Sequence, residues 1–207
     1  MASGRPRPDA SIPVPMPERR SQIKVGLAQI DARLGDLEFN LAHHLEWIGQ
    51  ARAEGVELLL FPELSLTGYR LLHLTPRVAI HPATSLIVER LRAAAPDMAV
   101  VVGCVEEDDK GALYNSALLL AGGEITHVHR KLYLPTYGIF QEGRFFGQGR
   151  KLSLCDAFGN PFGILICEDS ALLREGLVRV LEDAGHDVVA ALPDASGLDE
   201  SVDTTSP

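Results

Sequence analysis

The unbroken apolar run within ELLLF (57–61) is the feature that most narrows the folds open to this chain. A strand with one wet face alternates apolar and polar residues, whereas a strand apolar at successive positions is covered on both faces. The chain must therefore build a sheet with layers above and below it, and the neighbouring segments show what those layers are.

IKVGLAQI (23–30) reads as a buried strand. Gly35-Asp36 then supplies a turn and an N-cap, and Leu37, Leu41, Leu45 and Ile48 recur at spacings that put them on one helical face. That helix is predicted to end near Gly55. A second helix around 85–95 leads into the strand MAVVVGCVEE (98–107), and Asp109-Lys110-Gly111 makes a turn. LYNSALLLA and ITHVHRK flank Gly122-Gly123-Glu124, a hairpin by its turn chemistry, and KLSLCDAF and FGILIC flank Gly159-Asn160-Pro161 as a second one. Strands alternating with helices and followed by hairpins imply an α/β fold, a mixed sheet with helices packed on it.

Charge and composition remove several classes of function. The 207 residues carry a net charge of −9, so no large basic footprint for nucleic acid exists, and no apolar run approaches the roughly 18 residues that span a bilayer. Three cysteines, Cys104, Cys155 and Cys167, form no CxxC pair, which disfavours a disulfide framework or a structural zinc and points to a reducing, cytoplasmic setting. No metal or organic cofactor is expected; His127 and His129, on one face of one strand, read as exposed hairpin residues rather than ligands. Residues 1–21, with five prolines and four arginines, read as a mobile tail.

Three strand ends deliver reactive side chains into loops. Glu63 follows ELLLF, Lys131 closes the second strand of the first hairpin, and Cys167 ends FGILIC. A carboxylate that takes a thiol proton and an ammonium that holds an oxyanion would make that thiol a nucleophile. Spacing alone leaves ordinary readings open: Glu63 as a surface loop charge, Lys131 as a solvated strand end, Cys167 as a small buried hydrophobe. Cys104 and Cys155 read as core.

The segments FPELSLTGY, RKLYLPTYGIFQEGRFF and FGILICED, in this order, resemble the three signature segments of the nitrilase, or carbon–nitrogen hydrolase, superfamily. The resemblance spans about residues 23–169 and includes KVGLAQIDARLGDLEFN and GALYNSALLLAGGEI. It implies a four-layer αββα sandwich, here partial, usually paired across a subunit interface. It also implies Glu63 as general base, Lys131 as the lysine, Cys167 as the nucleophile that forms a thioester, and Glu142 as a helper that positions substrate and lysine. The backbone N–H of Glu168 would join Lys131 around the oxyanion, and Tyr69, Tyr133 and Tyr137 are candidates to line the pocket beside the motif residues. The implied substrate is a small amide or nitrile.

After Asp169 the sequence departs from that pattern. Residues 168–207 hold ten acidic and two basic residues, so nearly all the net charge sits there. The stretch 170–207 resembles the opening of a response-regulator receiver domain, with Glu168 and Asp169 in place of its acidic pair; a divergent nitrilase end is the alternative. The organisation expected is thus a tail (1–21), the N-terminal part of a carbon–nitrogen hydrolase domain (22–169) and an acidic helix–strand tail (170–207). An amidase truncated after its nucleophile, inactive or nearly so by itself, is the first functional reading. A glutamine-hydrolysing domain of an NAD synthetase is the second, and a catalytically dead binding fragment the third.

Overall fold

The structure is a computed structural model that describes residues 22–135, 141–156 and 161–164. Five strands form one sheet in the order β1 (Val25–Leu27), β2 (Leu58–Leu60), β3 (Ala99–Glu107), β4 (Leu113–Ala121) and β5 (Glu124–Arg130). β1, β2 and β3 run parallel, joined by helical crossovers, while β3, β4 and β5 form an antiparallel meander. The sheet is mixed, as the alternation of elements predicts. β6 (Leu154–Asp156) and β7 (Pro161–Gly163) pair antiparallel as a separate two-stranded sheet.

Helix α1 (Leu37–Ala53) starts where the sequence places it, because the Asp36 carboxylate accepts from the Phe39 N–H at 3.1 Å and satisfies one of the bare donors of the first turn. It closes at Glu54, and Gly55 follows at φ +71°, a conformation that suits a residue without Cβ. Leu41 and Ile48 of its apolar stripe are fully buried, and Leu37 and Leu45 pack at the edge of the same cluster. Helix α2 (Leu86–Ala94) adds Val88 and Leu91. Both helices cover one face of the sheet, where Leu59, Phe61, Val100, Val102, Leu118 and Leu120 point.

The opposite face carries Leu58, Ala99, Val101, Ala117 and Leu119, which pack with Cys155 and Ile164 from the β6–β7 unit. ELLLF is covered on both sides because alternate residues of β2 enter these two clusters. The first strand differs from its expected burial. It spans three residues and leaves Val25 at 47% and Leu27 at 76% exposure, because β1 is the edge of the sheet and pairs only with β2.

β4 and β5 are joined across Gly122 and Gly123, at φ +60° and +74°, the backbone signature of a tight primed hairpin turn. The pairing sets Leu119 opposite His127 and Ala117 opposite His129, and the Lys131 N–H then donates to the Asn115 carbonyl at 2.8 Å. Asn115, His127, His129 and Lys131 therefore share the inner face of the sheet. His127 is half-buried and His129 fully buried, which corrects the expectation of exposed hairpin residues. Period-two alternation does not say which face of a hairpin is covered; here the β6–β7 side covers it. Burial lowers the pKa of both imidazoles.

Candidate active site

Glu63 sits on the turn after β2, and its position depends on a strand glycine. Seen from Gly103 of β3, a Cβ would lie 2.4 Å from the Leu64 nitrogen and 2.6 Å from the Pro62 oxygen, so the Glu63 turn rests directly on bare backbone. The turn is tied down by Leu66 N–H to the Gly103 carbonyl at 2.9 Å and by Gly103 N–H to the Ser65 hydroxyl oxygen at 3.3 Å. Leu64, next to Glu63, has φ +51°, a sparsely populated conformation for a branched residue. Strain of about 1–3 kcal/mol at such a residue persists only where surrounding contacts over-determine it.

Behind the turn, helix α1 supplies a polar brace. Asn40 Nδ2 donates to the Leu66 carbonyl at 2.9 Å, and His44 meets the Ser65 hydroxyl through Nε2 at 2.9 Å. The His44 ring also packs tilted on Phe61 at 4.1 Å between centroids. Burial drives its pKa down to about 4, so near neutral pH the ring is uncharged and bridges Ser65 and the Asn40 carbonyl.

Lys131 follows β5 directly and is 1% exposed, which discards the reading of a solvated strand end. Its Nζ lies 2.9 Å from Glu63 Oε1 and 3.1 Å from Glu142 Oε2. Burial pulls the ammonium towards neutrality, and the two carboxylates outweigh it, so its pKa stands above the ordinary lysine value. Gly149 makes this placement possible in the way Gly103 does for Glu63. Its N–H donates to the Lys131 carbonyl at 2.8 Å, and a Cβ there would meet the Arg130 carbonyl oxygen at 2.2 Å.

Glu142 opens a 3₁₀ turn (Glu142–Arg144) and is 6% exposed. The Tyr69 hydroxyl donates to its Oε1 at 2.5 Å. Four of the predicted site residues are thus brought together: Glu63, Lys131, Glu142 and Tyr69. Tyr133 is 51% exposed. Cys167, Glu168 and Tyr137 lie outside the described residues, as do residues 1–21 and 170–207. Cys104 and Cys155 are buried as expected, and burial raises the Cys104 thiol pKa far above its usual value.

Sequence reasoning missed Asn115 and Gly103. Asn115 is fully buried on β4 and donates from Nδ2 to Glu63 Oε1 at 2.5 Å. A polar residue inside the apolar LYNSALLLA run was a signal for the first, and a glycine inside VVVGCVEE was a signal for the second.

A buried lysine clasped between two carboxylates beside a mixed sheet fits the nitrilase type that the signature segments resemble. The chain belongs to the carbon–nitrogen hydrolase family, whose model matches residues 24–200. That match takes in most of the acidic stretch for which a receiver-like origin was expected, and so runs past Glu168. The glutamine-dependent NAD(+) synthetase of Acinetobacter baylyi is 32% identical over 146 residues, covering 70% of this chain and 27% of that protein. The solved glutamine-dependent NAD+ synthetase of Acinetobacter baumannii superposes with a TM-score of 0.67 at 32% identity, covering 80% of this chain and 31% of that one. An amidase from Nesterenkonia sp. superposes at 0.61 with 26% identity, covering 75% of this chain and 59% of that one. The chain spans less than a third of the synthetases it matches. These relatives favour the glutamine-hydrolysing alternative over the stand-alone amidase that the sequence alone preferred.

Proposed function

We propose that this chain hydrolyses the side-chain amide of glutamine and serves as the ammonia-supplying part of an NAD synthetase. The observation that carries this reading is the clasp of Lys131 between Glu63 and Glu142 in a chain whose relatives are named glutamine-dependent NAD(+) synthetases. The family match through residue 200 supports reading 170–200 as part of the same domain.

In the mechanism, Glu63 takes the proton from the Cys167 thiol as the sulfur attacks the amide carbon. The carbonyl oxygen becomes an oxyanion, and the Lys131 ammonium with the Glu168 N–H stabilises it. Collapse of the tetrahedral adduct breaks the carbon–nitrogen bond; the proton held by Glu63 passes to the nitrogen, ammonia leaves and a thioester remains. Water then adds to the thioester carbon as Glu63 accepts its proton, the carbon–sulfur bond breaks, and Glu63 returns the proton to the sulfur as glutamate is released. Glu142 fixes Lys131 so that it stays charged and aimed, which a lone buried ammonium would not. The mechanism uses no metal and no organic cofactor.

The test uses 6-diazo-5-oxonorleucine, a glutamine-shaped electrophile, with mass spectrometry of the Cys167 peptide. Cys167 is expected to label in a saturable manner, with free glutamine protecting and propionamide not. Glu63→Gln and Lys131→Ala should each slow labelling by about a thousandfold, as for groups acting as a unit. Protection by propionamide but not glutamine would establish the amidase reading instead, and labelling of Cys167 indifferent to both substitutions would overturn the assignment of the site.

A further inference from the structure

Glu63 carries its contacts on a single oxygen. Oε1 accepts from Lys131 Nζ at 2.9 Å and from Asn115 Nδ2 at 2.5 Å, while Oε2 meets no hydrogen-bond donor among the described residues. Asn115 is built into the centre of this arrangement. Its backbone carbonyl accepts the Lys131 N–H at 2.8 Å, so one residue of β4 holds the lysine by its main chain and the glutamate by its side chain.

The amide of Asn115 is not free to face either way. An ionised carboxylate only accepts, so the NH₂ end must face Glu63. The other end is then left bare: Oδ1 is buried and has no hydrogen-bond partner among the described residues. A buried acceptor without a donor is unfavourable, and in a native structure such an atom calls for a reason, of which a role in catalysis is one. An asparagine kept only for packing gains nothing from this orientation.

We propose that Asn115 is a positioning residue for the base: with Lys131 it occupies Oε1 of Glu63 and leaves Oε2 as the atom that takes the proton from Cys167. The terminal torsion of a glutamate is broad and nearly two-fold, so without a second donor its two oxygens exchange and the basic atom is no longer fixed in place. A neutral donor suits this task better than a second cation, because it orients the carboxylate without suppressing its basicity as strongly. The inference rests on the reading of Glu63 as general base.

Among the described residues, the charged and titratable groups facing Glu63 are Lys131 at the end of β5 and Glu142 across that lysine, with the Tyr69 hydroxyl on it. His44 stands behind the turn through Ser65, and His129 is two residues from Lys131 on the same strand face. None of these is changed by substitution at Asn115.

The experiment is the pH dependence of Cys167 alkylation by iodoacetamide in the full chain, read by mass spectrometry, for the wild type, Asn115→Ser, Asn115→Asp and Glu63→Gln, with thermal melts alongside. The acid limb reports ionisation of the base. It should move up by about one pH unit in Asn115→Ser, a roughly tenfold slower reaction on that limb, and further in Asn115→Asp, where a second carboxylate faces Glu63. A merely structural role would lower the melting temperature and leave the midpoint of the limb unmoved, and that result overturns the proposal. If Glu63→Gln leaves alkylation unchanged, the base assignment itself fails. If Glu63→Gln slows it while both Asn115 variants keep the wild-type limb, Asn115 alone is rejected. Asn115→Ser, which adds no buried charge, decides the matter if Asn115→Asp does not fold.

Discussion

One methyl group at Gly103 tests how closely the base depends on the sheet beneath it. A Cβ at this position falls 2.4 Å from the Leu64 nitrogen, 2.6 Å from the Pro62 oxygen and 3.0 Å from the Glu63 carbonyl carbon. Ordinary contacts of this kind sit near 3.5 Å, so the Glu63 turn must lift by about 1 Å. All three opposing atoms belong to the backbone, and no rotamer change relieves them. The bonds that anchor the turn, Leu66 N–H to the Gly103 carbonyl and Gly103 N–H to Ser65, stretch with it. Overpacking of this sort costs about 1–3 kcal/mol, or roughly 2–12 °C in the melting midpoint of a chain this size. The reactive geometry suffers more, since a displacement of about 1 Å can cost roughly a hundredfold in rate. Gly103→Ala should therefore melt several degrees lower and lose about a hundredfold in labelling of Cys167 by the glutamine-shaped electrophile. A variant that melts with the wild type and labels at its rate would show that the turn does not rest on Gly103, and the argument for the glycine would fall.

Two further outcomes follow from buried charge. His44 is neutral in the fold with a pKa of about 4 and ordinary, near 6.5, when unfolded; the unfolded chain binds the extra proton between these values, so its contribution to stability is present above pH 6.5 and is lost as the pH falls towards 4. That contribution is about 3 kcal/mol at most, and denaturant titrations should show the slope of stability against pH flatten across this window in His44→Gln. On the outer face, Arg130 pairs with the buried Glu106, which also accepts from the Ser116 hydroxyl at 2.6 Å. Arg130→Met strands that carboxylate and should cost about 3 kcal/mol by chemical denaturation, with Arg130→Met/Glu106→Gln recovering most of the loss; equal stability of the single and double variants would refute the pairing.

The parts of the fold set by local chemistry were legible in the sequence. The Asp36 cap, the Leu41–Ile48 stripe and the Gly122-Gly123 hairpin each depend on residues a few positions apart, and the structure places all three as read. Burial of Lys131 was not legible, because a lysine after a strand looks the same in sequence whether it meets water or two carboxylates. The two histidines of β5 failed for the same reason: alternation shows that His127 and His129 share a face but not that the β6–β7 unit lies over it.

By itself, then, the sequence determined the mixed sheet, its helices and the motif residues Glu63, Lys131 and Glu142, since apolar period, turn chemistry and signature segments are all written locally. Only the tertiary structure decided that Gly103 and Gly149 are the seats on which two of those residues rest, that Asn115 joins Glu63 to Lys131, and that both donors fall on one oxygen. The physical reason is range. Glu63 and Lys131 are 68 positions apart, and Glu63 and Asn115 are 52. Distances of 2.5–2.9 Å between such residues come from strand register and from the absence of a Cβ at two points, which no local pattern of residues encodes.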